Sequence, residues 1–384
     1  MTIGFLGINS KSVSYSILFE KNGYDCFFYD QNENLVFNLN QKIFMSDEFE
    51  IQQELIDRKR ISASTEVTEV IRVSDTIFSF VDCPLNSNNT FDTTRIFDTI
   101  QQFYLASHVD ISLYNKNFIL SSVVNIGDSK KINEKISQFG IKFAYFPNFL
   151  PHNVPFKTLV TNYLYIIGTQ SHELFVELSN LIRTIQKNSN IYLMSFESAE
   201  LSKLVISAII GNKIVVSNLI GDMMKTMGLE KEIPLVLKSI SDDTGIGKQN
   251  INYNLGYDDS NVGKDIKVLS EFTKNKKVQN DIFGGIKAAN DEHLEFMKYY
   301  YMSINPNKEI PFVFDSLGYK KIDNVVEDSP KFRLCIELLQ EGYIINVIEG
   351  LEVSMGLIKL SESFSGKLKF FKKGSSPEGI KINA

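Results

Sequence analysis

Residues able to do chemistry begin at the amino end. Gly7, Asn9 and Ser12 occupy the three fixed positions of a GxGxxG turn, after the apolar run 3–6 and before a helical stretch reaching Leu18. Glycines suit those positions because the backbone must turn tightly, approach a pyrophosphate and pack a helix against a strand. One of the three survives. Asparagine tolerates left-handed geometry and serine is small, so the turn can form, but the Asn9 side chain crowds a close-lying phosphate. Asp30 ends the next apolar run, 26–29, where an acid would accept hydrogen bonds from an adenosine ribose. A Rossmann turn that binds nothing is the plainer alternative.

The other reactive side chains are scattered. Cys26, Cys83 and Cys335 are an odd count with no metal-site spacing, which implies a reducing, cytosolic setting without a disulfide framework. Cys83 lies beside the expected cofactor cleft and counts among its contacting positions, yet reads as a small core thiol rather than a nucleophile. His108, His152, His172 and His293 share no ligand spacing, and Asp258, Asp259 and Ser260 lack a third ligand, so no metal site is expected.

Composition sets the class. A chain of 384 residues, 43% hydrophobic and 22% charged with 9 prolines, builds two or three globular domains. Its formal net charge of -6 and the absence of a long Lys or Arg run leave nothing to neutralise a phosphate backbone, so nucleic acid is excluded as a partner. Lys274, Lys276 and Lys277 read as solvated surface. No basic region precedes the first apolar run, which argues for a buried strand rather than a signal peptide, and no uninterrupted apolar run suggests a membrane partner.

Two stretches share a layout of strand, crossover helix and parallel strand. The first runs from residue 3 through Gly23-Tyr24 to Asp30; the second has an apolar run at 311–314, helical periodicity over 332–339, and Gly342-Tyr343 leading to a strand that ends at Glu349. Between them residues 197–227 hold no proline and repeat apolar residues at helical spacing, among them Leu204, Ala208, Val215, Leu219 and Met223, until Gly228 stops the pattern. Such a helix runs about 45 Å at ~1.5 Å per residue. Because Ile206, Ile210 and Ile214 add a second apolar edge, cover is expected on more than one side, from both domains or from a partner copy. The expected fold is α/β: two Rossmann-like doubly wound parallel-sheet domains joined by a long central helix, with approximate bounds 1–190, 191–290 and 291–384. The tail 372–384 has little to bury and is expected to be loose.

Further motifs, in order, resemble those of the nucleotide-sugar 6-dehydrogenases of the UDP-glucose and GDP-mannose type. Residues 74–84, SDTIFSFVDCP, are similar to the family's ADVIFIAVPTP strand. Ser121-Ser122-Val123-Val124 with Gly127 resembles STVPxGT; Pro147-Asn148-Phe149-Leu150 resembles PEFL; Glu200-Leu201-Ser202-Lys203 resembles ExxK. Ile246-Gly247, eight residues, and then GYDDSNVGKD from Gly256 to Asp265 resemble, without a gap, the family's IG, eight residues, GFGGSCFPKD. Gly318-Tyr319-Lys320 and Asp328-Ser329-Pro330 are similar to the C-terminal YK and RESP elements.

The resemblance implies NAD as cofactor, a nucleotide sugar as substrate and roles for particular residues, while the apolar edges of the central helix lead to the expectation of a homodimer built on it. Lys203 would polarise the sugar oxygen, with Asp265 beside it and Ser122 in place of a threonine near the reacting sugar. Ser207 stands for an asparagine, and Gly256, Lys264 and Lys320 fall at substrate-binding positions. In the family a cysteine thiolate attacks the aldehyde made by the first hydride transfer; a second transfer gives a thioester, and water releases the uronic acid. Asn261 occupies that cysteine's position and has no nucleophile to offer. Asn148 replaces the acid of PEFL. Asp258 and Asp259 stand where the family has glycines and Glu327 where it has an arginine, so like charge faces the expected diphosphate. The resemblance therefore implies a relative with a weakened NAD site that cannot complete oxidation to the uronic acid. A dehydrogenase restricted to alcohol-aldehyde interconversion and a structural scaffold with both clefts defunct remain as alternatives.

Overall fold

The computed structural model describes residues 1–46, 48–107, 116–150, 155–161, 164–258, 261–278, 281–317, 329–349, 363–364, 366–372 and 374–382. They form two compact units, Met1–Lys203 and Leu204–Ala384. The first runs through β1 (Thr2–Leu6), α1 (Ser10–Lys21), β2 (Asp25–Tyr29), α2 (Glu33–Asn40), α3 (Phe49–Ile56), β3 (Ile61–Ser64), α4 (Val67–Val73) and β4 (Thr76–Ser79). It continues with α5 (Thr94–Ser107), β5 (Asn117–Leu120), α6 (Asp128–Ile136), β6 (Lys142–Tyr145), α7 (Pro155–Thr161), β7 (Leu164–Gly168), α8 (His172–Ile185) and β8 (Asn190–Met194), and enters α9 (Phe196–Thr226).

Its sheet has the order β3-β2-β1-β4-β5-β6-β7-β8. Strands β1 to β6 are parallel, and the order reverses between β1 and β4, the switch point outside whose carboxyl ends α/β sheets bind ligands. β7 and β8 depart from the doubly wound expectation: they are parallel to each other, but β7 meets β6 antiparallel at Tyr145 and Gly168. The core beneath α1 is aromatic. Phe5 stacks on Phe28 with ring centroids 4.7 Å apart, and Phe19, Phe78 and Phe80 close round it. This apolar floor fixes the carboxyl end of β1, and with it the turn that follows.

The second unit carries the rest of α9, then α10 (Ile233–Ser241), α11 (Val262–Asn275), α12 (Ile282–Ile304), β9 (Phe312–Phe314), α13 (Pro330–Gln340), β10 (Ile345–Glu349), β11 (Leu368–Lys372) and β12 (Ile380–Lys381). Its sheet, ordered β11-β10-β9-β12, is parallel throughout. The expected strand-helix-strand unit over 311–349 is present as β9, α13 and β10. The expectation of a loose tail is wrong: β12 pairs with β9, Ile380 and Ile382 donate to the carbonyls of Pro311 and Val313 at 2.9 Å, and Ile382 is buried. Two alternating apolar residues suffice to dock the segment on an open sheet edge.

α9 has the predicted start and stop within a residue. Length and apolar composition alone would let it cross a bilayer, but 44% of its most apolar window is buried in protein, and its buried residues include Asn218 and Asp222. Cover is one-sided rather than all round: Leu201, Ile209, Val216, Leu219, Met223 and Met227 are exposed.

Candidate active site

The turn after β1 is built from its own side chains. Gly7 has φ +95, and a Cβ there would lie 3.3 Å from the Phe80 carbonyl, so glycine is needed at this first position. Asn9 is the N-cap of α1. Its Oδ1 accepts from the backbone N–H of Lys11 and of Ser12, both at 3.1 Å, while its Nδ2 donates to the Phe80 carbonyl at 3.1 Å. Ser12 completes a capping box: its Oγ accepts from the Asn9 N–H at 3.0 Å and donates to the Gly7 carbonyl at 2.8 Å. Asp30 accepts from the Ile8 N–H at 2.9 Å through Oδ2 and from the Asn32 N–H at 2.9 Å through Oδ1. Gly7, Asn9, Ser12 and Asp30 are thus brought together as predicted, and the carboxylate expected to meet a ribose also braces the turn.

Polar groups line the carboxyl ends of β4, β5 and β6. Ser122 is buried and its Oγ donates to the Ser79 carbonyl at 3.4 Å. Asn148 is 5% exposed; its Oδ1 accepts from the Leu150 N–H at 2.8 Å, whereas its Nδ2 has no partner among the described residues. The hydroxyls of Ser79 and Ser121 are likewise buried without a partner there. Cys83, half-buried, donates weakly to the Val81 carbonyl; burial first, then Asp82, Asp92 and Asp128, push its thiol up to about 12. That is the wrong direction for a nucleophile.

At the start of α9, Glu200 is fully buried and accepts from the N–H groups of Gly127 at 2.6 Å and Ser129 at 2.7 Å. It therefore caps the amino end of α6 from a distant part of the chain, satisfying donors that a helix start leaves open. Burial lifts its carboxyl above the ordinary range, against the opposing pull of those hydrogen bonds. One turn on, Lys203 is buried, its ammonium 5.9 Å from the centroid of the Phe149 ring.

In the second unit Asn261 is the N-cap residue of α11; its carbonyl accepts from the Asp265 N–H at 3.0 Å, and its side chain does not close the cap. Asp265 is buried and accepts from the Ser207 hydroxyl at 2.6 Å, so these two expected residues meet. Lys264 is half-buried on the same first turn, and Asp258 is half-buried ahead of it. Gly256 has φ +94, and a Cβ there would fall 2.4 Å from the Asn290 Oδ1. Asn290 clasps the next residue, accepting from the Tyr257 N–H at 3.0 Å and donating to its carbonyl at 3.2 Å.

Sequence reasoning missed this support. On the same helix as Asn290, His293 joins a buried polar set: its Nδ1 is 2.6 Å from Asp222 and its Nε2 2.7 Å from the Asn254 carbonyl, with the Tyr253 hydroxyl donating to Asp222 at 2.7 Å. A polar residue every few positions on the buried face of α9, Asn218 and Asp222 among them, was the available signal. Lys320, Glu327, Asp259 and Ser260, with His108 and His152, lie outside the described residues. Among the described residues no cluster of three or more His, Cys, Asp or Glu could hold a metal. A depression of about 350 Å³ lined by Thr2, Asp25, Cys26 and Arg60 lies at the opposite, amino ends of β1 and β2, where Arg60 is already bound to the Glu20 and Gly23 carbonyls.

A parallel sheet reversing beside a glycine turn, with an acid ending the second strand, defines the class of dinucleotide-binding dehydrogenase domains. Family models are more specific: the NAD binding domain of the UDP-glucose/GDP-mannose dehydrogenase family matches residues 1–186, and that family's central domain matches residues 197–292. The chain belongs to the UDP-glucose/GDP-mannose dehydrogenase family. It is 25% identical over 323 residues to a UDP-glucose 6-dehydrogenase of Campylobacter jejuni, covering 80% of this chain and 76% of that protein. Its fold is similar to that of a UDP-glucose dehydrogenase from Pyrobaculum islandicum, with a TM-score of 0.81 at 16% identity over 97% of this chain and 86% of that one. A UDP-D-ManNAc dehydrogenase from Pyrococcus horikoshii gives 0.74 at 17% identity, covering 97% and 95%.

The family's cofactor is NAD, and its pyrophosphate would have to meet the turn after β1. There the Lys11 and Ser12 N–H groups already have the Asn9 Oδ1 as acceptor, so the turn as it stands does not fit a pyrophosphate.

Proposed function

We infer that this chain is a relative of the UDP-glucose 6-dehydrogenases that has lost the thioester route and cannot carry a nucleotide sugar through to the uronic acid. Asn261 at the amino end of α11 carries the reading, because it stands in register with the family's cysteine and a carboxamide cannot capture an aldehyde. The remaining thiols support it. Cys26 and Cys335 are buried and Cys83 half-buried, and burial pushes all three up, Cys83 and Cys335 to about 12, so none supplies a thiolate near neutral pH. The amide of Asn148 in place of a carboxyl group removes a general acid-base partner as well.

A weakened NAD site belongs to the same reading, supported by asparagine and serine at two of the three glycine positions. A nucleotide sugar remains the ligand class. The exposed apolar stripe on α9 supports a homodimer formed along that helix, and three unpaired thiols accord with a cytoplasmic setting. Dehydrogenation restricted to alcohol-aldehyde interconversion is the second reading, favoured by the buried Asp265, bonded to Ser207, and by Lys264 on the same turn of α11.

The test is incubation with NAD and UDP-glucose or UDP-N-acetylmannosamine, followed by product analysis. The expected result is no uronic acid. NAD reduction that stops at the aldehyde supports the second reading, and stoichiometric uronic acid overturns both.

A further inference from the structure

We propose that the Asn9 side chain is an internal occupant of the anion position at the amino end of α1, and that it, more than any deformation of the turn, keeps a dinucleotide pyrophosphate out. A helix start binds phosphate because its first N–H groups point outward without partners. Here the chain has used four of those around the turn. The Ile8 N–H goes to Asp30, the Asn9 N–H to the Ser12 hydroxyl, and the Lys11 and Ser12 N–H groups to the Asn9 Oδ1. The same carboxamide is anchored at its other end, Nδ2 donating to the Phe80 carbonyl, so Oδ1 cannot swing aside without breaking three hydrogen bonds at once.

What surrounds the cap is otherwise suited to a nucleotide. Gly7 keeps its left-handed backbone, β1 and β4 flank the switch point, and the 12-residue α1 is regular and seated on the aromatic core. Asn9 itself is extended, with φ -146 and ψ 172, a conformation open to any residue. The anion position at the start of α1 is therefore filled by the Asn9 side chain, with Asp30 and Ser12 taking the neighbouring N–H groups. Asn9 sets specificity against dinucleotides, and replacing it unplugs the site.

The experiment is calorimetric titration of the full chain with NAD and with ADP-ribose, alongside amide exchange at Lys11 and Ser12. Asn9→Gly removes the plug, and glycine is itself an accepted N-cap, so the fold is retained; Asn9→Ala removes it without adding backbone freedom. Asn9→Asp keeps the acceptor for the Lys11 and Ser12 N–H groups, loses the donor to the Phe80 carbonyl and adds like charge.

Both uncapped variants are expected to bind ADP-ribose on the order of tenfold more tightly than the parent chain, the change carried by one recovered hydrogen bond to a charged group. Their Lys11 and Ser12 amides should exchange faster when free and regain protection with ligand. Asn9→Asp should bind no better than the parent. Equal affinity in the parent and both uncapped variants, including no binding by any of them, overturns the proposal. So does tight binding by Asn9→Asp. The readout is binding, so failure here leaves the inferred loss of uronic acid formation standing, and the reverse also holds.

Discussion

At the scale of single residues, carboxylates and amides of this chain do work that ligands or open helix ends do elsewhere. Glu200 is the clearest case: a fully buried carboxyl group holds two N–H groups more than seventy residues away in sequence. Glu200→Gln turns a donor on one of them and should cost about 1–2 kcal/mol. Burial raises the folded-state pKa, so the folded chain keeps its proton to higher pH than the unfolded chain does. Its contribution is then greatest below the ordinary carboxyl range and declines as pH rises toward the folded value. Urea unfolding of the parent chain and Glu200→Gln between about pH 4 and pH 7 should show their stability difference shrinking with rising pH; a difference that grows would contradict the assignment. The Asn9 cap was within reach of the sequence, since asparagine directly before a helical stretch is a preferred N-cap. The Glu200 cap was not, because nothing local couples it to Gly127.

Elements were legible in proportion to how strongly they repeat. The α9 periodicity, with no proline and a glycine directly after it, marked both ends, as did the two strand-helix-strand layouts. β12 escaped because two apolar residues in a polar tail make no countable period, and the antiparallel entry of β7 escaped because strand direction leaves no trace in composition. α9 carries two predictions. Its exposed stripe, Ile209, Val216, Leu219 and Met223, leaves apolar surface in water unless a second copy covers it. Val216→Glu with Leu219→Glu should convert a dimer to a monomer in sedimentation velocity while the circular dichroism stays helical; an unchanged mass would remove the interface from α9. On the buried side, Gly221 lies against Tyr253, where an added Cβ would sit 2.0 Å from the ring. Because that ring is tied to Asp222 and Met297, Gly221→Ala should destabilise the chain by about 1–3 kcal/mol, read from the denaturation midpoint.

For the whole molecule, family membership is shown, and the proposed loss of uronic acid formation is a separate matter of a few side chains. The parallel sheets and the long helix follow the family, while the proposed loss of chemistry rests on two asparagines, Asn261 and Asn148, at the positions that the resemblance gives to a cysteine and an acid. Family membership could be read from ordered motifs along the chain, yet the network of His293, Asp222, Tyr253 and Asn254 could not, since its members are spread over some seventy residues and meet only after packing. The step in question can be isolated. Supplying the 6-aldehyde of a UDP-sugar together with NAD bypasses the first hydride transfer and asks only whether an aldehyde can be captured and oxidised. Neither NADH nor uronic acid is expected above the rate without protein, and no covalent adduct in the intact mass. Stoichiometric acid formation, or a trapped adduct on any side chain of this polypeptide, would contradict it.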